Sequence, residues 1–334
     1  MKKVHSWVLA ALLASLAVIA IACGDDDEEG DGAATQTSGD STTTASAFEP
    51  FDCESDYPGT EPDTAAFPLE ETDDSGATVS FEAPPEAIVS LSAAHVEVLY
   101  AIGAGDQLIA GDLFSDCPAA AAELEQLDSF TPSVEAITAL EPDLVVLGFS
   151  NPDLQTALAG VGISSLLQEP PPDMAGVLDD IELLGRVTGH PEEASAYAAG
   201  MDARIDEIVA DLPAADVPPK VFHEVENTLF TAGPGSFVGD LYEILKAKNI
   251  ADATGEPFPQ MSQEAIIQAA PDVIILADEE AGENAETVSA RPGWDAIPAV
   301  QDERIYAVDP DIVSRPGPRV IEALETLSQL LYEQ

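Results

Sequence analysis

Residues 133–147 read Ser133-Val134-Glu135-Ala136-Ile137-Thr138-Ala139-Leu140-Glu141-Pro142-Asp143-Leu144-Val145-Val146-Leu147. Residues 262–276 read Ser262-Gln263-Glu264-Ala265-Ile266-Ile267-Gln268-Ala269-Ala270-Pro271-Asp272-Val273-Ile274-Ile275-Leu276. Both follow S-x-E-A-I-x-x-x-x-P-D and then four aliphatic residues. The serine is a helix N-cap, because its side-chain oxygen can accept an orphan backbone N–H. Pro-Asp marks the turn, and four aliphatic residues without alternation form a strand buried on both faces. Two copies of one helix–turn–strand unit, half a chain apart, imply two similar lobes.

The rest of the chain extends that pattern. Strand-like runs occur at Ala87–Leu91, Leu108–Ala110, Lys220–Val225 and Arg304–Val308, and helical patterns at Val96–Ile102 and Phe237–Lys246. Strands alternating with helices predict mostly parallel sheets covered on both faces. The longest helical stretch, Asp173 to Leu212, carries an apolar stripe of Val177, Ile181, Leu184 and Val187. Gly189-His190-Pro191 interrupts it, and a second helical pattern runs from Glu192 to Asp211. The expected architecture is α/β: two Rossmann-like lobes (67–170 and 214–334) joined by one long connector helix within 171–213. A ligand cleft is expected between the lobes.

The first residues read as an address. Lys2 and Lys3 precede an uncharged run from Ser6 to Ala22, the form of a secretory signal. After Cys23 comes Asp25-Asp26-Asp27-Glu28-Glu29, then a Ser/Thr-rich stretch, so residues 24–66 are expected to be an acidic tether with a partly ordered end. The whole chain has 63 acids against 11 bases, a formal net charge of −52. From residue 47 onward 56 acids still face 9 bases, so the acidity belongs to the folded part. That excludes nucleic acid as a partner and electrostatic adhesion to anionic lipid. Of the three cysteines, Cys53 and Cys117 are left either to pair as a disulfide or to stand as free thiols.

These features resemble the substrate-binding proteins of ABC importers for vitamin B12, iron-siderophores and haem. The resemblance runs from about Phe67 to the C-terminus. Its motifs are Pro85-Glu86-Ala87-Ile88-Val89-Ser90-Leu91-Ser92, Glu97-Val98-Leu99-Tyr100-Ala101-Ile102-Gly103-Ala104-Gly105-Asp106, Ser115-Asp116-Cys117-Pro118, Gly185-Arg186-Val187-Thr188-Gly189 and Arg315-Pro316-Gly317-Pro318-Arg319. Ala20-Ile21-Ala22-Cys23-Gly24 resembles a lipobox, which implies that Cys23 is lipidated and anchors the chain on the outer face of the cytoplasmic membrane. In the family, the glutamate of each S-x-E motif pairs with arginines of a two-fold symmetric permease, which implies docking roles for Glu135 and Glu264. Helix-dipole stabilisation would also place an acid there.

By motif position, the resemblance implies a cleft lined by Ser92, His95, Asp116, Cys117, Phe130, Phe149, Ser150, Glu224, Phe258 and Arg315. The three phenylalanines stand near positions where vitamin B12 binders carry tryptophan; core packing is the alternative for each. His95 is a cleft donor, a metal ligand or a helix cap. The resemblance implies a monomer that takes a corrinoid or an iron-siderophore and delivers it to the permease, with the lipid as its one membrane contact. Haem, ferric citrate, or a transporter-free adhesin or metal binder are the alternatives. The folded part has few bases, so the ligand is expected to be neutral or cationic.

No enzyme chemistry emerges. Thr231-Ala232-Gly233-Pro234-Gly235-Ser236 lacks the lysine a phosphate loop requires and reads as a turn capped by Ser236. No nucleophile elbow or paired acid/base spacing is present. Beyond the address, three histidines are too few for a bare-metal site, and no cofactor is expected.

Overall fold

A computed structural model describes residues 48–214, 217–278 and 282–332. The signal segment, Cys23 and the acidic tract through residue 47 lie outside the described residues. A hairpin of β1 (Leu69–Thr72) and β2 (Thr78–Phe81) precedes the N-terminal lobe. That lobe runs β3 (Ile88–Leu91), α1 (Ala93–Ala101), β4 (Leu108–Asp112), β5 (Glu125–Leu127), α2 (Val134–Ala139), β6 (Leu144–Leu147), α3 (Pro152–Gly160) and β7 (Ser164–Leu167). Two helices come next, α4 (Met174–Thr188) and α5 (Pro191–Asp211). The C-terminal lobe begins with β8 (Lys220–Glu226), β9 (Phe230–Thr231), α6 (Phe237–Ile244), β10 (Lys248–Asn249), α7 (Gln263–Ala269) and β11 (Val273–Leu276). It ends with α8 (Ala285–Ser289), α9 (Pro298–Gln301), β12 (Ile305–Ala307), α10 (Pro310–Val313) and α11 (Val320–Tyr332).

Each lobe is built on a parallel sheet, β5-β4-β3-β6-β7 in the first and β10-β8-β11-β12 in the second. The short β9 adds antiparallel to β8. The repeat occupies equivalent places in both. Ser133 Oγ accepts the Ala136 N–H at 3.2 Å and Ser262 Oγ accepts the Ala265 N–H at 3.2 Å, so both helices start on a side-chain cap. The Pro-Asp turns then set strand register. Asp143 accepts the Glu86 and Ala87 N–H groups at 3.0 and 3.1 Å, and Asp272 accepts the Lys220 N–H at 2.8 Å. Each aspartate thereby ties its own strand to the first strand of its lobe. The aliphatic quartets of β6 and β11 are wholly buried.

The connector comprises two packed helices, α4 and α5, which meet at the Gly189-His190-Pro191 interruption. Gly189 ends α4 with a φ of +84°, a left-handed conformation that glycine adopts without strain. A Cβ there would lie 2.9 Å from Pro62 Cβ and 3.1 Å from the Asp63 carbonyl oxygen, so the turn has no room for a side chain. Val177, Ile181, Leu184 and Val187 of α4 join Met201 and Ile205 of α5 in one apolar cluster with residues of both lobes, among them Leu99 of α1, Leu241 of α6 and Leu324 of α11.

The tether was expected to have a partly ordered end before residue 66, and the chain is packed from Phe48 onward. Phe48 packs edge-on against Tyr197 at 5.3 Å, Phe51 stacks on Tyr57 at 4.4 Å, and Cys53 forms a disulfide with Cys117. Thr60 and Asp63 donate backbone hydrogen bonds to the carbonyls of Gly103 and Gly189. Residues 48–66 therefore belong to the packed body.

Candidate ligand cleft

Parallel strands deliver their carboxyl ends, and the loops after them, to one edge of a sheet. In the N-terminal lobe that edge forms a cleft of about 320 Å³. Ser92 comes directly after β3, and Ala93, Ala94 and His95 of α1 form its floor. Asp112 ends β4 and organises the next loop: its carboxylate accepts the Ser115 hydroxyl at 2.7 Å and the Phe114 N–H at 3.2 Å. The Ser129 hydroxyl donates to the other oxygen at 3.3 Å. Asp128 accepts the Phe130 and Thr131 N–H groups, and the Thr131 hydroxyl holds its carboxyl below the usual range. Gly148 stands just after β6, where a Cβ would meet Ser92 Cβ at 2.8 Å, and the next residue, Phe149, lies beside Phe130. The opposite wall comes from α10 and the segment after it: Pro310, Asp311, Ser314, Arg315 and Pro316.

Two properties define the site. Phe114, Phe130 and Phe149 are 50%, 69% and 54% exposed, and their rings adjoin in series at 6.0 and 6.2 Å between centroids. Three exposed, adjoining aromatic rings form a surface ready to bury another apolar face. The lining is also poor in free positive charge. Arg315 Nη1 lies 2.6 Å from Glu97 Oε1, and Arg315 Nη2 lies 2.9 Å from Asp311 Oδ2 and donates to the Phe114 carbonyl at 3.4 Å. Arg319 binds the same Glu97 oxygen at 3.0 Å, so an acid in α1 holds two arginines of the C-terminal segment. Burial pushes the Glu97 carboxyl up, while the two guanidiniums pull it back. Burial also lowers His95 to about 4, so its imidazole is neutral near pH 7. Its Nδ1 has no hydrogen-bond partner among the described residues.

The structure gathers Ser92, His95, Phe130, Phe149 and Arg315 into this cleft, while Ser150 lines an adjoining groove with Phe130 and Phe149. Asp116 is exposed on the rim, 3.9 Å from Arg315. Three expected lining residues do not line this cavity. Cys117 is buried and bonded to Cys53. Glu224 is buried in the C-terminal lobe, held by both Arg291 amino groups at 2.6 and 2.5 Å. Phe258 is exposed on that lobe but outside the cleft. Conversely, Phe114, Asp112 and Asp311 line the cleft without having been expected there. Phe114 was detectable as the aromatic residue directly before the S-D-x-P loop. Glu135 and Glu264 are both exposed in the first turns of α2 and α7. Among the described residues, no three His, Cys, Asp or Glu side chains converge as a metal site.

With two lobes on parallel sheets and a cleft at the strand ends, the chain belongs to the periplasmic binding protein family, whose sequence pattern matches residues 88–312. It is 32% identical over 278 residues to YvrC of Bacillus subtilis strain 168, an uncharacterized ABC transporter substrate-binding lipoprotein. That match covers 80% of this chain and 87% of YvrC. The vitamin B12-binding protein of Vibrio cholerae is 29% identical over 253 residues, covering 74% of this chain and 90% of its own. Among solved structures, the periplasmic haem-binding protein RhuT from Roseiflexus sp. RS-1 superposes with a TM-score of 0.68 at 25% identity, covering 74% of this chain and 98% of its own. All three of these relatives are binding proteins.

Proposed function

We propose that this chain captures a corrinoid or an iron-siderophore between its lobes and delivers it to the permease of an ABC importer. The observation that carries this reading is the exposed wall of Phe114, Phe130 and Phe149 facing a guanidinium already paired with carboxylates. Such a cleft suits a large ligand with apolar faces and few anionic groups, such as the corrin ring with its amide arms. A haem would bring its propionates toward Asp112 and Asp311 and find no unpaired guanidinium or ammonium among the described lining residues. The likeness to the Vibrio cholerae vitamin B12-binding protein supports the corrinoid in particular.

Delivery would use Glu135 and Glu264. They occupy matched positions on two similar lobes, so they can meet a two-fold symmetric partner with one carboxylate each. A lipid on Cys23 would hold the protein beside that partner on the outer face of the cytoplasmic membrane. Replacing both acids (Glu135→Lys with Glu264→Lys) is expected to abolish uptake of radiolabelled cobalamin while calorimetric affinity stays unchanged. Normal uptake by the double variant would refute the docking roles. Failure of cobalamin, ferrioxamine and haemin alike to bind the wild-type protein would refute the capture reading.

A further inference from the structure

The cleft holds one guanidinium, and its surroundings decide what that guanidinium can recognise. Arg315 is nearly buried, and its two amino groups are engaged by Glu97, Asp311 and the Phe114 carbonyl, with Asp116 3.9 Å away. Glu97 projects from the opposite lobe and is fully buried. Around it and its neighbours, two guanidiniums (Arg315 and Arg319) face three carboxylates (Glu97, Asp311 and Asp116). On the other wall stands Asp112, its carboxylate occupied by the Ser115 and Ser129 hydroxyls. The remaining ionisable lining group, His95, is neutral at ordinary pH. A base lining a cleft would ordinarily be its anion-recognition element. Here the fold cancels it with a buried acid from α1 and two acids on the rim.

We infer that Glu97, Asp311 and Asp116 act through Arg315 as the charge filter of this cleft, selecting against ligands that carry carboxylates. This rests on the cleft being the ligand site. Inside a partly dehydrated cleft the interaction between like charges is several-fold larger than in water, so each unpaired carboxylate on a ligand meets a substantial penalty. A neutral amide or hydroxamate at the same position meets none. Glu97 is a poor place to test this, since removing the acid that holds two buried guanidiniums destabilises the protein itself. Asp116 and Asp311 are exposed enough to exchange for asparagine with the fold intact. Their removal turns the local balance from one excess carboxylate to one excess guanidinium.

The test measures affinities of wild type and the Asp116→Asn, Asp311→Asn variant for two matched probe pairs. Cobinamide, with amide arms, is compared with cobyrinic acid, with carboxylic arms on the same ring; ferrioxamine B is compared with ferric citrate. Wild type is expected to prefer the non-carboxylate member of the pair it binds by roughly tenfold or more, and the variant to narrow that ratio by roughly tenfold. Raising the salt to about 1 M should narrow the wild-type ratio too, because the rim carboxylates are partly exposed. A merely structural role for the two aspartates would weaken both members equally and leave the ratio unchanged, which would overturn the inference. Wild type binding both members of a pair within threefold would overturn it as well. Binding of none of the four probes would instead refute the capture reading on which the inference rests.

Discussion

Where β6 ends in the N-terminal lobe, Phe149 stands exposed beside Phe130 and Phe114. Around the equivalent ends of β8 and β11 in the C-terminal lobe stand Glu224 and Asp278, both buried, with Arg291 bridging Glu224 to Glu283. The guanidinium of Arg291 also lies 4.7 Å over the buried ring of Trp294. The two lobes share a repeat, a capped helix, a register-setting aspartate and a buried aliphatic strand. They differ in the loops beyond the strand ends. One lobe leaves its loops apolar and open and pins them covalently through Cys53–Cys117; the other closes its strand ends with ion pairs. A common scaffold therefore fixes where a site can be, and the loop chemistry decides which lobe supplies its wall.

The two kinds of pin can be broken separately. Replacing Cys53 and Cys117 together by serine should cost about 4 kcal/mol, since the bridge closes a loop with a sequence separation of 64 residues. Urea unfolding would report it, and a loss under about 1 kcal/mol would show that packing alone holds the rim. Glu224→Ala strips the main partner from Arg291 and should cost about 3 kcal/mol in the same assay. Ligand affinity per folded molecule should stay unchanged, because Glu224 is outside the cleft; a loss of affinity comparable to that of a cleft variant would return the C-terminal cluster to the site.

A pH dependence is expected as well. Burial, with the Glu224 and Glu283 carboxylates nearby, pushes the Asp278 carboxyl up to about 7. An ordinary unfolded-state aspartate titrates near pH 4, so between about pH 4 and pH 7 the folded state holds a proton that the unfolded state has released. This group's contribution to stability therefore falls as the pH rises through that window. Asp278→Asn should flatten that part of the stability profile, and thermal melts between pH 4.5 and 8 would show whether it does. An unchanged slope would mean that Asp278 is ionised throughout.

The repeat made both lobes legible because caps, turns and buried strands are local patterns that a short sequence carries in full. The connector was legible both in its apolar stripe and in its break at Gly189-His190-Pro191; the left-handed conformation of Gly189, which a period count does not register, was not. The N-terminal half of the cleft was largely readable, since residues just after a parallel strand must reach the sheet edge. On the C-terminal side, motif position did not reveal that Glu224 is buried against Arg291, nor that Phe258 is exposed away from the cavity lining. The environment of Glu224 depends on Arg291, 67 residues further along, a distance at which no local pattern acts. Arg315 was found but its neutralisation was not, because Glu97 comes from the other lobe, 218 residues earlier.

The central claim is that the phenylalanine wall of the N-terminal lobe captures the ligand. Calorimetric titration of cobalamin into wild type and into a Phe130→Ala, Phe149→Ala variant tests it most directly. Both rings are exposed, so stability should move by no more than about 0.5 kcal/mol for each, while affinity falls by roughly tenfold or more. Equal affinity in the two proteins, at equal stability, would contradict the account.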